Sequence, residues 1–529
     1  MKQNRGKTIE RILIRGVNWI GDSVLTLPAI RAIRKGFPDA HISILVKPWV
    51  SDIFKGNPHI DEIILYNISK LKLIKGLRRR QFDMAILLQN AFDAGLIAWL
   101  SGIPERIGYR TDLRGPLLTK AIPVDSSILK RHQVYYYLNL INSIGIETDD
   151  HQPYIHLMDD EREWARRLLN NSFNIEDGFP LLLTPPLIGL NPGATYGSSK
   201  RWLTERFAEL IRRIVDELNG RVIIFGSPSE VRLVDEIIRE LDTDNPLPIT
   251  HYTSRILNMA GRTTLRELIA LISECDVFIT NDSGPMHIAS ALSVPTVAIF
   301  GSTNPSTTSP FGEGNRVVYK GLPCSPCLKR ECPEGHLRCM KDITVHDVFS
   351  ALKEVIPVNN AIFLDRDGTL IEDKNYLNSF DGLIIIDGVK KELARLRSNG
   401  FSLIGITNQS GIARGIVDER FVIESNEYLK NELGIDDFYY CPHHPKEDCE
   451  CRKPRPMLLL KARLRHRIRM RSSYMIGDKE SDMELAKGVG IKGILISHNP
   501  VSETKASFVA KDMGEAVGWI LRDRLKVDG

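Results

Sequence analysis

Short apolar runs alternate with stretches whose apolar residues recur every third or fourth position, and this alternation covers most of the chain. ERILIRG (10–16) predicts a first strand. After it, Val24, Leu27, Ile30 and Ile33 recur at helical spacing, and Gly36 with Pro38 closes that helix. HISILV (41–46), EIILY (62–66) and DMAILLQ (83–89) predict further strands with helices between them. The pattern restarts with LIGLNPG (187–193), RVIIFGS (221–227), DVFITNDSG (276–284) and TVAIFG (296–301). It restarts once more at AIFLDRDGTL (361–370), with FSLIGI and SYMI downstream. Such alternation predicts parallel α/β units, with ligands at the carboxyl ends of the strands. The expected units are 1–175, 176–350 and 358–529, with a change of chemistry near 341–360.

Composition narrows the picture. At 529 residues the chain is too long for one ordinary domain, and 43% hydrophobic with 26% charged residues is the balance of a soluble globular protein. A net charge of +4 is too small at this length to indicate nucleic-acid binding. No apolar run approaches the roughly 20 residues that span a bilayer. The first residues lack the apolar stretch of a secretory signal, so a cytoplasmic protein is expected.

The sharpest chemistry follows the strand at 361–364. Asp365 and Asp367 are carboxylates one residue apart at a strand end, and their repulsion calls for a cation, with Mg²⁺ the natural choice. With the charge balanced, one carboxylate can attack phosphorus while the other moves a proton. In the second unit, NPGATYGSSKRW (191–202) combines glycines, hydroxyls and Lys200 ahead of a helix, the makings of a phosphate cradle. NDSGPMHIASAL (281–292) sets Asp282, Ser283 and Gly284 between a strand and a helix, which also suits an anion. His287 reads locally as an interior histidine. Asp22 reads as a helix cap.

Seven of the eight cysteines fall in two clusters, and Cys275 stands alone. Cys324, Cys327, Cys332 and Cys339 follow C-x₂-C-x₄-C-x₆-C, which has the reach for a tetrahedral thiolate site with zinc or iron–sulfur, or is a set of clustered free thiols. Cys441, His443, Cys449 and Cys451 form a C-x-H-x₅-C-x-C zinc pattern, with His444 as the competing ligand.

GDSVLTLPAIRAIR, NPGATYGSSKRW, FGSPSE, NMAGRTTLRELIALI and NDSGPMHIASAL together resemble the lipopolysaccharide heptosyltransferases of glycosyltransferase family 9, with the two-lobed GT-B architecture. The resemblance implies an N-terminal acceptor lobe and a C-terminal lobe for ADP-heptose. Thr195 and Lys200 would meet the diphosphate, and Glu230 the ribose. Asp282, Ser283, Gly284 and His287 would surround the phosphates and sugar, and Asp22 would be the general base. The implied acceptor is an acidic, lipid-linked inner-core sugar, for which Arg106, Arg110 and Arg114 are candidate contacts. SKLKLIKGLRRRQ (69–81) reads either as a contact with an anionic membrane or as an ordinary basic helix face.

From Asn360 onward the chain resembles the haloacid-dehalogenase superfamily, through DRDGT (365–369), TNQSG (407–411), RKP (452–454) and GDKESD (477–482) in order. By that resemblance Asp365 is the nucleophile and Asp367 the acid/base. Thr407 and Lys453 hold the transferring phosphoryl group. Asp365, Asp478 and the Asp367 carbonyl hold Mg²⁺, with Lys479 adjacent. The short segment between the first two motifs implies a capless site. The zinc loop and TNQSGIARG are most similar to D-glycero-D-manno-heptose 1,7-bisphosphate 7-phosphatases. That likeness places Asp373, Tyr376, Asn408, Gln409, Ser410 and Arg452 around a heptose 1,7-bisphosphate; histidinol-phosphate phosphatases share the loop. A transferase with another sugar donor, or a non-catalytic sugar-binding module, stays open for the first half.

Overall fold

Three parallel sheets carry the chain, each of six strands. The computed structural model describes residues 9–173, 185–241, 249–447, 449–499 and 501–525. The first sheet contains β1 (Arg11–Arg15), β2 (His41–Val46), β3 (Glu62–Leu65), β4 (Met84–Leu87), β5 (Glu105–Tyr109) and β6 (Lys120–Ile122), in the order β3-β2-β1-β4-β5-β6. The second contains β7 (Leu187–Asn191), β8 (Arg221–Ile224), β9 (Ile256–Asn258), β10 (Val277–Asn281), β11 (Thr296–Phe300) and β12 (Arg316–Tyr319), in the order β9-β8-β7-β10-β11-β12. The third contains β13 (Asn360–Leu364), β14 (Phe401–Asn408), β15 (Asp437–Cys441), β16 (Tyr474–Gly477), β17 (Lys492–Ile496) and β18 (Phe508–Ala510), in the order β15-β14-β13-β16-β17-β18.

The three sheets therefore share one doubly wound strand order. In each, the first and fourth strands lie side by side and the winding reverses between them, which opens a crevice at their carboxyl ends. The central strands are buried along their length, β7, β10 and β11 at every residue. That is what helices on both faces of a parallel sheet require. By packing, the described chain divides into two units. One comprises the residues up to Phe173 together with Pro186–Val355, and so holds the first two sheets; the other starts at Ile356.

The helix expected across Val24–Ile33 is two helices, Ile20–Leu25 and Leu27–Gly36. Pro28, which has no N–H to give, occupies the first turn of the second one, where that donor is not needed. The break leaves Asp22 in the first turn of a short helix just beyond β1. Between β13 and β14 the chain forms only a 3₁₀ turn, Phe380–Gly382, and the helix Val389–Ser398, and no cap domain intervenes.

Candidate active sites

The carboxylates expected to do chemistry lie at switch points. Asp22 follows β1, the 192–200 loop follows β7, and Asp282 follows β10. Within this first unit the two sheets meet at Asp22. A Cβ on Gly21 would sit 2.7 Å from the His287 ring, and one on Gly284 would sit 3.2 Å from Ile20. Glycines at both positions let the helix Ile20–Leu25 and the helix Gly284–Ala291 touch, so Asp22 faces Lys200 and Asp282. Burial pushes the Asp22 carboxyl up to about 6; Lys200 pulls it down and Asp282 adds to the rise. Tyr137 is buried close by, where the Asp22 charge, after burial, raises its hydroxyl.

Asp282 is buried, and its Oδ2 accepts from Lys200 Nζ and from Thr303 Oγ1, both at 2.6 Å. Ser283 occupies the N-cap position of the helix Gly284–Ala291 without a side-chain capping bond, and its Oγ accepts from Asn191 Nδ2 at 3.3 Å. His287 is buried with no partner for Nδ1, and burial drives it down to about 4, so the ring is neutral at neutral pH. Glu230 is buried against Gly193, which has no side chain to block it, and accepts from Ser227 N at 2.8 Å. Thr195 stands exposed ahead of Lys200 and makes none of these contacts.

Two of the arginines expected to meet the acceptor do other work. Arg114 is fully buried and donates to the Tyr109 carbonyl at 2.8 Å, to Asn90 Oδ1 at 3.0 Å and to the Gln89 carbonyl. Arg106 donates to the Leu117 carbonyl at 2.7 Å. Both tie the β5–β6 connection to its own sheet, and only Arg110 of the three is exposed.

In the second unit Asp365 and Asp367 follow β13, Asp478 follows β16, and the TNQSG segment ends β14. Lys453 Nζ lies 2.7 Å from Asp365 Oδ1 and 2.7 Å from Asp482 Oδ1, and donates to the Ile406 carbonyl at 2.8 Å. Burial works against the Lys453 charge, yet Asp365 and Asp482 hold its pKa above the ordinary lysine value. Asp367 is held by Arg366 at 3.1 Å, Gln409 Nε2 at 2.8 Å and Thr407 Oγ1 at 3.4 Å. Arg366 is itself buried and bonded to Asn426 at 3.2 Å. Asn408 clasps the Lys453 backbone, accepting from its N–H at 3.0 Å. Toward the mouth, Lys479 pairs with Asp373 at 3.1 Å, while Tyr376 lies against Gly411 and Ser410 is partly buried. Arg452 points a buried Nη1 at no protein partner.

The residues fit a divalent cation. Oxygens of Asp365, Asp478 and Asp482 lie within 4.8 Å of one another, and Asp478 Oδ1 is buried without a hydrogen bond. Burial and then the Asp365 charge push Asp478 up to about 7; burial pushes Asp482 up to about 6. A cation relieves that repulsion. Asp482 stands in the GDKESD motif, yet the sequence does not single it out as a member of this group. The thiols of Cys441, Cys449 and Cys451 and the ring of His443 also lie within 4.8 Å of one another, with sulfur–sulfur distances of 3.3–3.5 Å. His444 instead accepts from the Lys446 N–H and stays outside.

Two doubly wound lobes meeting over a carboxylate define a transferase of the GT-B kind, and the third sheet, with its aspartates at the switch point, defines a haloacid-dehalogenase-like phosphatase. The profile of glycosyltransferase family 9 (heptosyltransferase) matches residues 70–338, and that of HAD-hydrolase-like proteins matches 450–516. The chain is 31% identical to lipooligosaccharide heptosyltransferase 2 of Campylobacter jejuni, over 65% of this chain and 98% of that one. It is 43% identical to D-glycero-beta-D-manno-heptose-1,7-bisphosphate 7-phosphatase of Photorhabdus laumondii, over 27% of this chain and 83% of that one. The solved E. coli ADP-heptose LPS heptosyltransferase II superposes with a TM-score of 0.55 at 28% identity, covering 65% of this chain and 98% of that one. The chain belongs to glycosyltransferase family 9, fused to a phosphatase of the haloacid-dehalogenase superfamily. It is an enzyme twice over, a glycosyltransferase and a phosphomonoesterase.

Proposed function

We propose that the chain transfers heptose from ADP-heptose to an acidic, lipid-linked inner-core acceptor and separately hydrolyses the 7-phosphate of D-glycero-D-manno-heptose 1,7-bisphosphate. The observation that carries this reading is the union, in one chain, of likeness to a heptosyltransferase and to a heptose bisphosphate phosphatase, each with its carboxylates at a switch point. Residues 1–175 take the acceptor, 176–350 the nucleotide sugar and 358–529 the bisphosphate.

In transfer, Lys200 and Thr195 meet the diphosphate, and Glu230 the ribose. Asp282, Ser283, Gly284 and His287 surround the phosphates and sugar. Asp22 takes the proton from the acceptor hydroxyl as its oxygen bonds to the anomeric carbon and ADP departs. The raised basicity of Asp22 suits that task. In hydrolysis, the Asp365 carboxylate attacks phosphorus, the bond to the C7 oxygen breaks, and Asp367 protonates that oxygen. Asp367 then takes a proton from water, which attacks the aspartyl-phosphate and frees Asp365 with inorganic phosphate. Lys453 and Thr407 stabilise the phosphoryl oxygens. Arg452, Asn408, Gln409, Ser410, Asp373 and Tyr376 seat the sugar phosphate. Mg²⁺, held by Asp365, Asp478 and the Asp367 carbonyl, supplies neutralising charge at that site.

Zinc at Cys441, His443, Cys449 and Cys451 fixes the loop that ends just before Arg452 and Lys453. Cys449→Ser with Cys451→Ser is therefore expected to lower phosphate release roughly 10- to 100-fold while transfer stays unchanged; equal rates would remove the loop's role. No described helix is long and apolar enough to cross a membrane. Cytoplasmic residence with peripheral contact to an anionic bilayer fits the helix Lys70–Arg79, which buries Leu73 and Leu77 and exposes Leu71 beside Lys72, Lys75, Arg78 and Arg79.

The test is the purified full chain supplied in parallel with heptose 1,7-bisphosphate and histidinol phosphate. One phosphate per heptose, released faster than from histidinol phosphate, is expected. The reverse preference would move the phosphatase to the other substrate.

A further inference from the structure

Neither reaction uses the cysteines that follow β12. Residues 320–337 form no helix or strand, and most of their side chains are exposed or partly exposed, so apolar burial does little to hold them. Yet this loop is where the Lys200 segment rests. The Ser199 N–H donates to the Arg330 carbonyl at 3.1 Å, its hydroxyl donates to the Lys329 carbonyl at 2.5 Å, and Tyr196 Oη donates to the Leu328 carbonyl at 2.9 Å. Gly197 passes so close that any Cβ there would overlap the Arg330 carbonyl. On its other side the loop is fixed by the Leu328 N–H, which donates to the Ser302 carbonyl at 2.8 Å just beyond β11.

Cys324, Cys327, Cys332 and Cys339 all line one small cavity, whose wall also includes Ser199 and Ser302. Three soft ligands from one irregular loop, and Cys339 from the short helix Arg338–Lys341 that follows it, therefore converge on the back of the segment that presents Lys200. No three of their sulfurs lie within the 4.8 Å mutual spacing of the Cys441–Cys451 cluster. Cys324 is the exposed member at the rim, and Cys339 is the buried one.

We propose that these four cysteines bind a thiophilic metal ion, zinc or iron, as thiolates, and that this ion locks residues 320–337 against Gly197–Lys200. On binding, each thiol loses its proton to solvent and four metal–sulfur bonds form, and the thiolates outweigh the ion's charge, so the site is left anionic. The ion takes no part in sugar transfer. It stiffens the platform under Lys200, so its effect falls on capture of the activated sugar; this last clause rests on the function proposed above.

The test begins with elemental analysis of the full-length purified protein. Two thiolate-bound metal ions per chain are expected, one for each cysteine cluster, and both are released when thiols are titrated with a mercurial in the presence of a chromogenic chelator. Visible absorption separates iron from zinc. Cys327→Ser with Cys332→Ser removes one ion and keeps the other, raises the KM for ADP-heptose roughly 10- to 100-fold, and leaves phosphate release unchanged. A wild-type chain that releases a single ion, or a variant with the wild-type metal content, overturns the site, and so does a disulfide among the four cysteines in the purified protein. Loss of the ion with an unaltered KM overturns the positioning role. Failure of the wild-type chain to transfer heptose would count against the proposed function and would leave the ion count standing.

Discussion

Asp365→Asn is expected to reduce phosphate release from heptose 1,7-bisphosphate by about 10⁴-fold or more, the scale on which loss of a covalent nucleophile is felt, while heptosyl transfer by the same preparation is unchanged. The amide keeps the shape of the side chain and can still accept a hydrogen bond from Lys453, which lies 2.7 Å from Asp365 Oδ1. The variant is therefore expected to fold, and its melting transition provides the control. Its failure would be chemical: an amide oxygen is too poor a nucleophile to form the phosphoryl ester. Retention of phosphate release above one tenth of the wild-type rate would eliminate Asp365 as the attacking group.

Asp482 separates structure from chemistry at the same site. It shares Lys453 with Asp365, and its side chain is fully buried. Removing the sole partner of a buried ion pair costs about 3–5 kcal/mol; here Asp365 stays paired with Lys453, so loss of the second carboxylate costs a share of that. A change at position 482 would therefore register first in stability, whereas Asp365→Asn registers in rate.

The central strands could be read from sequence because burial on both faces writes itself as an unbroken apolar run: β2 is HISILV and β11 is TVAIF within the expected segments. Among the edge strands β3 was legible as EIILY, whereas β6 and β12 left no such trace. β6 is the three residues Lys120–Ile122, and β12 carries an exposed arginine and valine. Neither has a sealed face to impose a pattern. The carboxylates were legible because strand ends and turn residues mark them. Arg106 and Arg114 misled because guanidinium groups in a charged stretch look solvated, while the fold aims them at carbonyls of the β5–β6 connection and of β5. Asp482 was hidden for another reason. At the third helical position after Lys479 it matches a capping residue, and its backbone-capping bond is indeed present at 3.3 Å. Only the arrival of Lys453, from an earlier segment of the chain, shows that the carboxylate also belongs to a buried charge cluster. Thr303 and Tyr137 likewise reach Asp282 and Asp22 from distant segments with no local motif to announce them.

Asp22→Asn is expected to slow heptosyl transfer by about 10²- to 10⁴-fold, the usual contribution of a positioned general base, and to leave phosphate release untouched. Asparagine cannot take the acceptor proton, yet it preserves the first turn of the helix Ile20–Leu25 and its approach to His287. The pH dependence gives an independent check. A general base works when deprotonated, and burial places the Asp22 carboxyl at about 6. Transfer measured as kcat/KM is therefore expected to fall as pH drops through about 6, approaching tenfold per unit below that, with a plateau above. Because Lys200 pulls this carboxyl down, Lys200→Ala moves the limb to higher pH in addition to weakening donor capture. An ordinary surface aspartate would titrate near its usual 3.8 and would give a flat profile through about pH 5. Full transfer by the Asp22→Asn enzyme with an unshifted profile would remove Asp22 as the base. Complete absence of transfer in the wild-type chain, with sugar nucleotide still bound, would instead make the first unit a sugar-binding module beside a working phosphatase.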